Sequence, residues 1–160
     1  FMAFKICMIE DDSDLAGLVK EYLERYDFEV SICEDFKNID KFVDGHGPDL
    51  ILLDINIPYF DGFYWCNEIR KITRVPIIFT SARTEDYDQV RAIMSGGDDY
   101  ITKPFLTKEL LLRIAAVLRR TYKLEEGTAI LRCGGPMESM LIKKLVLLVG
   151  TVLSTNLGSP

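Results

Sequence analysis

Asp54 closes the apolar run Leu50-Ile51-Leu52-Leu53, so one carboxylate stands at the exit of a segment that reads as a buried strand. A buried charge is costly unless it is paired. Two more strand-end clusters share the chain with it: Glu10-Asp11-Asp12 after Lys5-Ile6-Cys7-Met8-Ile9, and Lys103-Pro104 after Tyr100-Ile101-Thr102. Carboxylates held close together repel, and a hard divalent cation with oxygen ligands relieves them; Mg²⁺ commonly takes a carboxylate or two, waters and a phosphate. The chemistry that suits such a set is phosphoryl transfer. Asp54 is the nucleophile at phosphorus, the metal and the Lys103 ammonium stabilise charge on the equatorial oxygens, and the Thr80 hydroxyl senses the product. A phosphorylated Asp54 gains charge and acceptor oxygens, which draws Thr80 inward and pairs with Lys103.

The elements that must position these residues follow from the alternation of short apolar runs with helical patterns, which implies parallel strands joined by crossover helices. Strands are expected at Lys5 to Ile9, Glu29 to Cys33, Leu50 to Asp54, Val75 to Thr80 and Tyr100 to Thr102. Most are too apolar for a sheet wetted on one side, so helices cover both faces. Leu15, Leu18, Val19, Tyr22 and Leu23 form the stripe of an amphipathic first helix. The last helix carries Leu110, Ile114, Val117 and Leu118, with Thr107 as its cap and Arg119-Arg120 near its C-terminus, where cations are favoured. Between them helices are expected at Asn38 to Asp44, Phe63 to Ile72 and Asp86 to Ser95, the last ended by Gly96-Gly97, while His46 in Gly45-His46-Gly47-Pro48 reads as a loop residue. The fold class is α/β, a doubly wound five-stranded parallel sheet. In such sheets ligands collect outside the carboxyl ends of the strands. Glu10, Asp11, Asp54, Thr80 and Lys103 therefore converge on one shallow pocket.

Composition narrows the function. The chain has 160 residues, 48% of them hydrophobic and 28% charged, which is ordinary for a soluble protein with one principal domain. A net charge of −6 argues against strong nucleic-acid binding by this chain alone. The four cysteines, Cys7, Cys33, Cys66 and Cys133, form no CxxC pair and His46 is the single histidine, so neither a zinc site nor a disulfide scaffold is supported. Core-filling thiols in a reducing cytoplasm are expected. No secretory signal is visible after Phe1-Met2-Ala3.

Residues 4 to 122 resemble the receiver domain of bacterial two-component response regulators. The resemblance rests on Met8-Ile9-Glu10-Asp11-Asp12, on Asp49 through Asp54 with Pro58 and Asp61-Gly62 downstream, on Pro76 through Ala82, and on Asp98 through Phe105. It implies a flavodoxin-like receiver fold in which Asp54 accepts phosphate from a sensor histidine kinase. It implies Asp11 as a direct Mg²⁺ ligand, Glu10 as its neighbour through water, the Asn56 carbonyl as another ligand, and Asp12 as extra charge without a clear role. Thr80 and Tyr100 become paired switch residues, Lys103 the phosphate-binding cation, and Lys103-Pro104 a cis peptide. The Asn56 side chain, near the path of hydrolytic water in receivers, implies a moderately short-lived phosphoryl-aspartate. Ala82, two beyond Thr80, offers no second polar group there.

Gly96 to Arg120 resembles the regulators that carry a winged-helix DNA-binding output domain. These dimerise through the fourth helix, fifth strand and fifth helix, which implies a face on which Asp98 and Asp99 meet Arg113 and Arg120 of a twin subunit. Gln89, Met94 and Ala115 stand where that subfamily often has charges, so the pairing is altered or weaker. Residues 123 to 160 are too short for a winged helix and carry no basic recognition helix; their apolar segments, Ala129 to Cys133 and Met140 to Ser154, do not reach the roughly 18 residues that span a bilayer. A truncated or atypical output region, a docking or swapping segment, and a surface anchor are the readings of that tail, in that order. The chain is expected to be a switch and not a turnover enzyme, with any contact to DNA made through an output domain not evident here. A receiver-like module independent of phosphorylation would lack one of the acids, Asp54 or Lys103. A haloacid-dehalogenase-type phosphatase would want an aspartate where Asn56 stands.

Overall fold

The computed structural model describes residues 3–122. One unit spans Phe4–Thr107, and the described residues from Lys108 on belong to a second. The expected boundary between a receiver at 4–122 and a region at 123–160, the readings of the tail, and Cys133 all involve positions outside the described residues.

Five strands, β1 (Lys5–Ile9), β2 (Glu29–Ile32), β3 (Leu50–Asp54), β4 (Ile77–Ser81) and β5 (Asp99–Thr102), form a parallel sheet in the order β2-β1-β3-β4-β5. Helices α1 (Ser13–Glu24), α2 (Ile39–His46), α3 (Gly62–Arg70) and α4 (Asp86–Met94) connect them, and α5 (Thr107–Tyr122) follows. The fold is the expected five-stranded α/β receiver architecture. Every residue of β3 and β4 is buried, as parallel strands covered on both faces require. Parallel crossovers are right-handed. With this strand order the step from β1 to β2 runs one way and the later steps the other, which puts α1 on one face and α2, α3 and α4 on the opposite one. The core of that second face joins Ile51, Leu53, Ile77 and Phe79 to Val43, Phe63, Cys66, Ile69 and Ala92.

Helix starts explain some of the charge seen in the sequence. Asp12 is the N-cap of α1, its carboxylate accepting from the backbone N–H of Asp14 and Leu15 at 3.1 Å each. A capping aspartate of this kind contributes about 1 kcal/mol to helix stability, so the charge without a clear role has a structural one. Asp61 caps α3 in the same way, through Tyr64 N–H at 2.9 Å. Gly62 is required by contact, since a Cβ there would lie 2.5 Å from the Asp54 carbonyl oxygen. That close approach seats α3 against the end of β3.

Element ends depart from expectation in small, explicable ways. α2 continues through Gly45 and His46 and stops at Gly47, whose φ of 55° is left-handed. His46 is thus a helical residue whose ring lies 4.3 Å from Phe42 and whose Nδ1 lies 2.8 Å from the Phe42 carbonyl oxygen. α3 ends at Arg70, short of Ile72, and α4 at Met94 before Gly96, whose φ is 106°. Thr107 is the first helical residue of α5 and not the residue before it. β2 ends at Ile32, although Cys33 N–H still donates to Met8 O at 2.9 Å. β4 begins at Ile77 and runs on to Ser81, a residue further than expected. This last difference matters at the site.

Candidate functional site

The strand order reverses between β1 and β3, and the carboxyl ends of these strands deliver Glu10 and Asp54 to the crevice there. Both are buried to 3% exposure, while neighbouring Asp11 is exposed. Carboxylate oxygens of Glu10, Asp11 and Asp54 lie within 4.8 Å of one another. From the end of β5, Lys103 Nζ donates to Asp54 Oδ2 at 3.0 Å and to Glu10 Oε1. Its placement depends on the turn after β5, where Lys103 N–H donates to Ser81 O at 2.7 Å and the Lys103-Pro104 bond is cis, as the resemblance implies. Asn56 N–H donates to Asp54 Oδ1 at 3.2 Å, and Asp12 N–H to Glu10 Oε2 at 3.2 Å.

Electrostatics follow from this packing. Burial pushes the Glu10 carboxyl up, with the Lys103 hydrogen bond pulling the other way. Burial also raises Asp11, and the Glu10 carboxylate adds to the rise. Burial opposes the Lys103 charge, but the hydrogen bonds it donates to Glu10 and Asp54 outweigh this and hold Lys103 above the ordinary lysine value. Three carboxyl groups thus face a single ammonium in a set made of oxygen donors. The residues present therefore suit a hard divalent cation.

The expected switch pair is not the pair that the hydrogen bonds link. Thr80 is buried and stands level with Asp54 in the β3–β4 register. Side chains alternate along a strand, so Thr80 shares a face with Ile78, whereas Ser81 shares the face of Ile77 and Phe79, to whose core Tyr100 belongs. Ser81 Oγ accepts from Arg83 N–H at 3.0 Å, and the Arg83 carbonyl accepts from Tyr100 O–H at 2.7 Å. A continuous path thus joins Tyr100 to Ser81. The sequence contained both hydroxyls, and with β4 taken to stop at Thr80, Ser81 fell into a loop; the strand's end at Ser81 makes it a second candidate beside Thr80. Counting from Ser81, the residue two further on is Arg83 and not Ala82. Its guanidinium grips Asn56 Oδ1 through Nη2 at 2.8 Å and Nε at 3.1 Å, so a second polar group does stand beside Asn56.

Of the charges expected on a dimer face, Asp98 is engaged within its own subunit. Its Oδ2 accepts from Arg70 at 3.1 Å and from Ile77 N–H at 2.9 Å. Asp99 Oδ1 accepts from Tyr100 N–H at 2.8 Å, and Arg113 approaches Glu109 at 3.5 Å along α5. Arg120 lies in the last turn of α5. Among the described residues no helix is long and apolar enough to cross a membrane.

A parallel sheet with an acidic crevice at its switch point and a lysine bridging two of the acids defines a receiver-type architecture. Residues 6–115 match the response regulator receiver domain family, and the chain belongs to it. An uncharacterised transcriptional regulatory protein YvcP of Bacillus subtilis is 47% identical over 82% of this chain. The alignment covers 58% of that relative, so the chain spans little more than half its length. The N-terminal domain of the nisin resistance regulator NsrR is 41% identical, with a TM-score of 0.68 over 74% of this chain and 100% of that domain. A beryllofluoride-activated receiver domain of Klebsiella pneumoniae RstA is 30% identical, with a TM-score of 0.68 over 72% of this chain and 98% of that one.

Proposed function

We propose that this receiver domain takes a phosphoryl group from a sensor histidine kinase onto Asp54, with Mg²⁺, and passes the change to a surface that controls transcription. The observation that carries the proposal is the cluster in which Lys103 bridges the buried Glu10 and Asp54 beside exposed Asp11. An Asp54 oxygen attacks phosphorus as the P–N bond of the partner's phosphohistidine breaks, and the imidazole leaves with the bonding electron pair. Glu10, Asp11, Asp54 and the Asn56 carbonyl would hold the cation, which when bound neutralises charge on the phosphoryl oxygens. Lys103 exchanges its carboxylate partners for the new phosphate, forming a charge-assisted hydrogen bond. Asn56 limits the lifetime of the product by presenting its amide near the hydrolytic water.

Ser81 is the hydroxyl that senses the phosphate in this reading, with Tyr100 as its partner through Arg83. Thr80 is the neighbouring alternative. Replacement of Ser81 by Ala and of Thr80 by Val distinguishes them: Ser81→Ala uncouples phosphorylation from the response at Tyr100, read by ring NMR signals, while Thr80→Val leaves the coupling in place. The reverse pattern returns the role to Thr80.

The output surface is assigned to α4 and its surroundings, where Tyr87, Val90, Ile93 and Met94 expose apolar area on one helix. A phosphorylation-dependent homodimer would bring Asp98 and Asp99 against Arg113 and Arg120 of the twin, with Asp98 contributing less because Arg70 already holds it. The cellular setting is the cytoplasm, where the kinase's phosphohistidine is available. DNA is reached through an output domain, as the regulatory descriptions of the relatives suggest. Labelling with a small phosphodonor, followed by sedimentation, tests both steps; one phosphoryl group per chain with a shift toward dimer is expected, and labelling of Asp54→Ala to the same extent would exclude Asp54.

A further inference from the structure

Arg83 connects three parts of the molecule that the chemistry above treats separately. Its side chain meets Asn56 Oδ1 through two nitrogens on one side and Asp88 Oδ1, in the first turn of α4, at 3.4 Å on the other. Its carbonyl holds the Tyr100 hydroxyl, and its N–H is held by Ser81 Oγ. A guanidinium has donors only, so the Asn56 oxygen faces Arg83 and its NH₂ group is turned the other way. The orientation of that amide is thereby set by Arg83. Helix α4 has little else to hold it by burial, since Ala92 is its single buried residue; Arg91 supplies a second polar tie by lying 4.2 Å over the Phe63 ring.

We infer that Arg83 is a latch: its fork positions the Asn56 amide at the phosphoacceptor and, through Asp88, holds the first turn of α4, so that phosphoryl lifetime and α4 order are set by one residue. This rests on the phosphoacceptor reading for the lifetime, but not for the order of α4. Movement of Ser81 toward a phosphate pulls on the Arg83 backbone directly. The latch then loosens a helix whose single buried residue is Ala92.

The test uses the whole chain and two readouts. Hydrogen exchange of the unphosphorylated protein should show faster exchange across residues 86–94 in Arg83→Ala and in Asp88→Asn, with β1 and β3 unchanged. Decay of the phosphorylated form should change in Arg83→Ala and Asn56→Ala in the same direction, and the double variant should depart from the product of the single effects by at least threefold, beyond the roughly twofold scatter of independent sites. Arg83→Lys should restore neither effect fully, because an ammonium lacks the planar fork. Multiplicative effects on decay together with unaltered exchange in α4 would overturn the latch. If the wild type takes up no phosphate, the phosphoacceptor reading fails, and the exchange data alone then decide whether Arg83 holds α4.

Discussion

The strand-end pocket and α4 are built in opposite ways. Glu10 and Asp54 are buried and locked to Lys103 by direct ion pairs, and Gly62 lets α3 close against Asp54 without a side chain between them. α4 buries Ala92 alone and leaves Met94 at 83% and Tyr87 at 71% exposure. A preorganised pocket spends little on rearrangement when a phosphoryl group arrives. A thinly packed helix moves for a small free-energy change, because the least stable segments are those with few buried apolar contacts. The division teaches that the proposed phosphoacceptor is the tightly paired half of the molecule and the proposed output surface the thinly packed one.

The comparison breaks most completely at Asp54. Asp54→Ala should abolish acid-labile phosphoryl incorporation, measured by intact mass after treatment with a small phosphodonor, while circular dichroism stays that of the wild type. Lys103→Met comes next. It leaves Glu10 and Asp54 buried without their cation, and breaking a buried ion pair costs about 3–5 kcal/mol; the lower end is expected because Glu10, already raised, can take up a proton. Urea unfolding in the absence of divalent cations measures the loss, and added Mg²⁺ should recover part of it.

Gly97→Ala probes the seam between the two regions. The new Cβ would stand 2.6 Å from the Phe79 ring and 2.9 Å from the Ala92 carbonyl oxygen, and overpacking of this kind costs about 1–3 kcal/mol. Thermal unfolding should register it. On α4 itself the effect should be smallest: Tyr87→Ser alters exposed surface and should change stability by no more than about 0.5 kcal/mol, while weakening any phosphorylation-dependent self-association seen in sedimentation.

Thiol chemistry sharpens the rigid half further. Burial pushes Cys7 up to about 12 and Cys33 and Cys66 up to about 11, so these stay protonated as pH rises through the range where a free thiol ionises. Alkylation at pH 8.5, roughly the pKa of a free cysteine, should spare these three in the folded chain and reach them only after denaturation. Rapid labelling of Cys66 without denaturant would place the loose region inside the α3 face as well.

The centre of the sheet was legible because β1 and β3 are apolar runs that meet acids at their ends: Leu50 to Asp54 and Lys5 to Ile9 have the same bounds in sequence and structure. The acids and Lys103 were legible for the same reason, since strand-end charges in such a fold meet at one edge. What escaped were choices settled by a single residue of geometry. The end of β4 escaped by one residue, and with it Ser81 as a second candidate hydroxyl beside Thr80. His46 sits between glycines and before Pro48, yet the left-handed Gly47 is what stops the helix. Asp12 caps α1 with its carboxylate, whereas the Asp11 carboxylate joins Glu10 and Asp54, a division that two adjacent aspartates do not announce. The Asn56–Arg83 contact joins residues 27 positions apart, with no periodic pattern in the sequence to announce it.

The central claim, that the acidic pocket is a phosphoacceptor switch, is tested most directly by titrating beryllofluoride with Mg²⁺ into wild type and Asp54→Ala while following backbone NMR shifts. Saturable binding that is lost in Asp54→Ala, with the largest shifts at Ser81, Arg83, Tyr100 and α4, is the predicted result. Wild-type spectra that do not change, or that change equally in Asp54→Ala, would contradict the account.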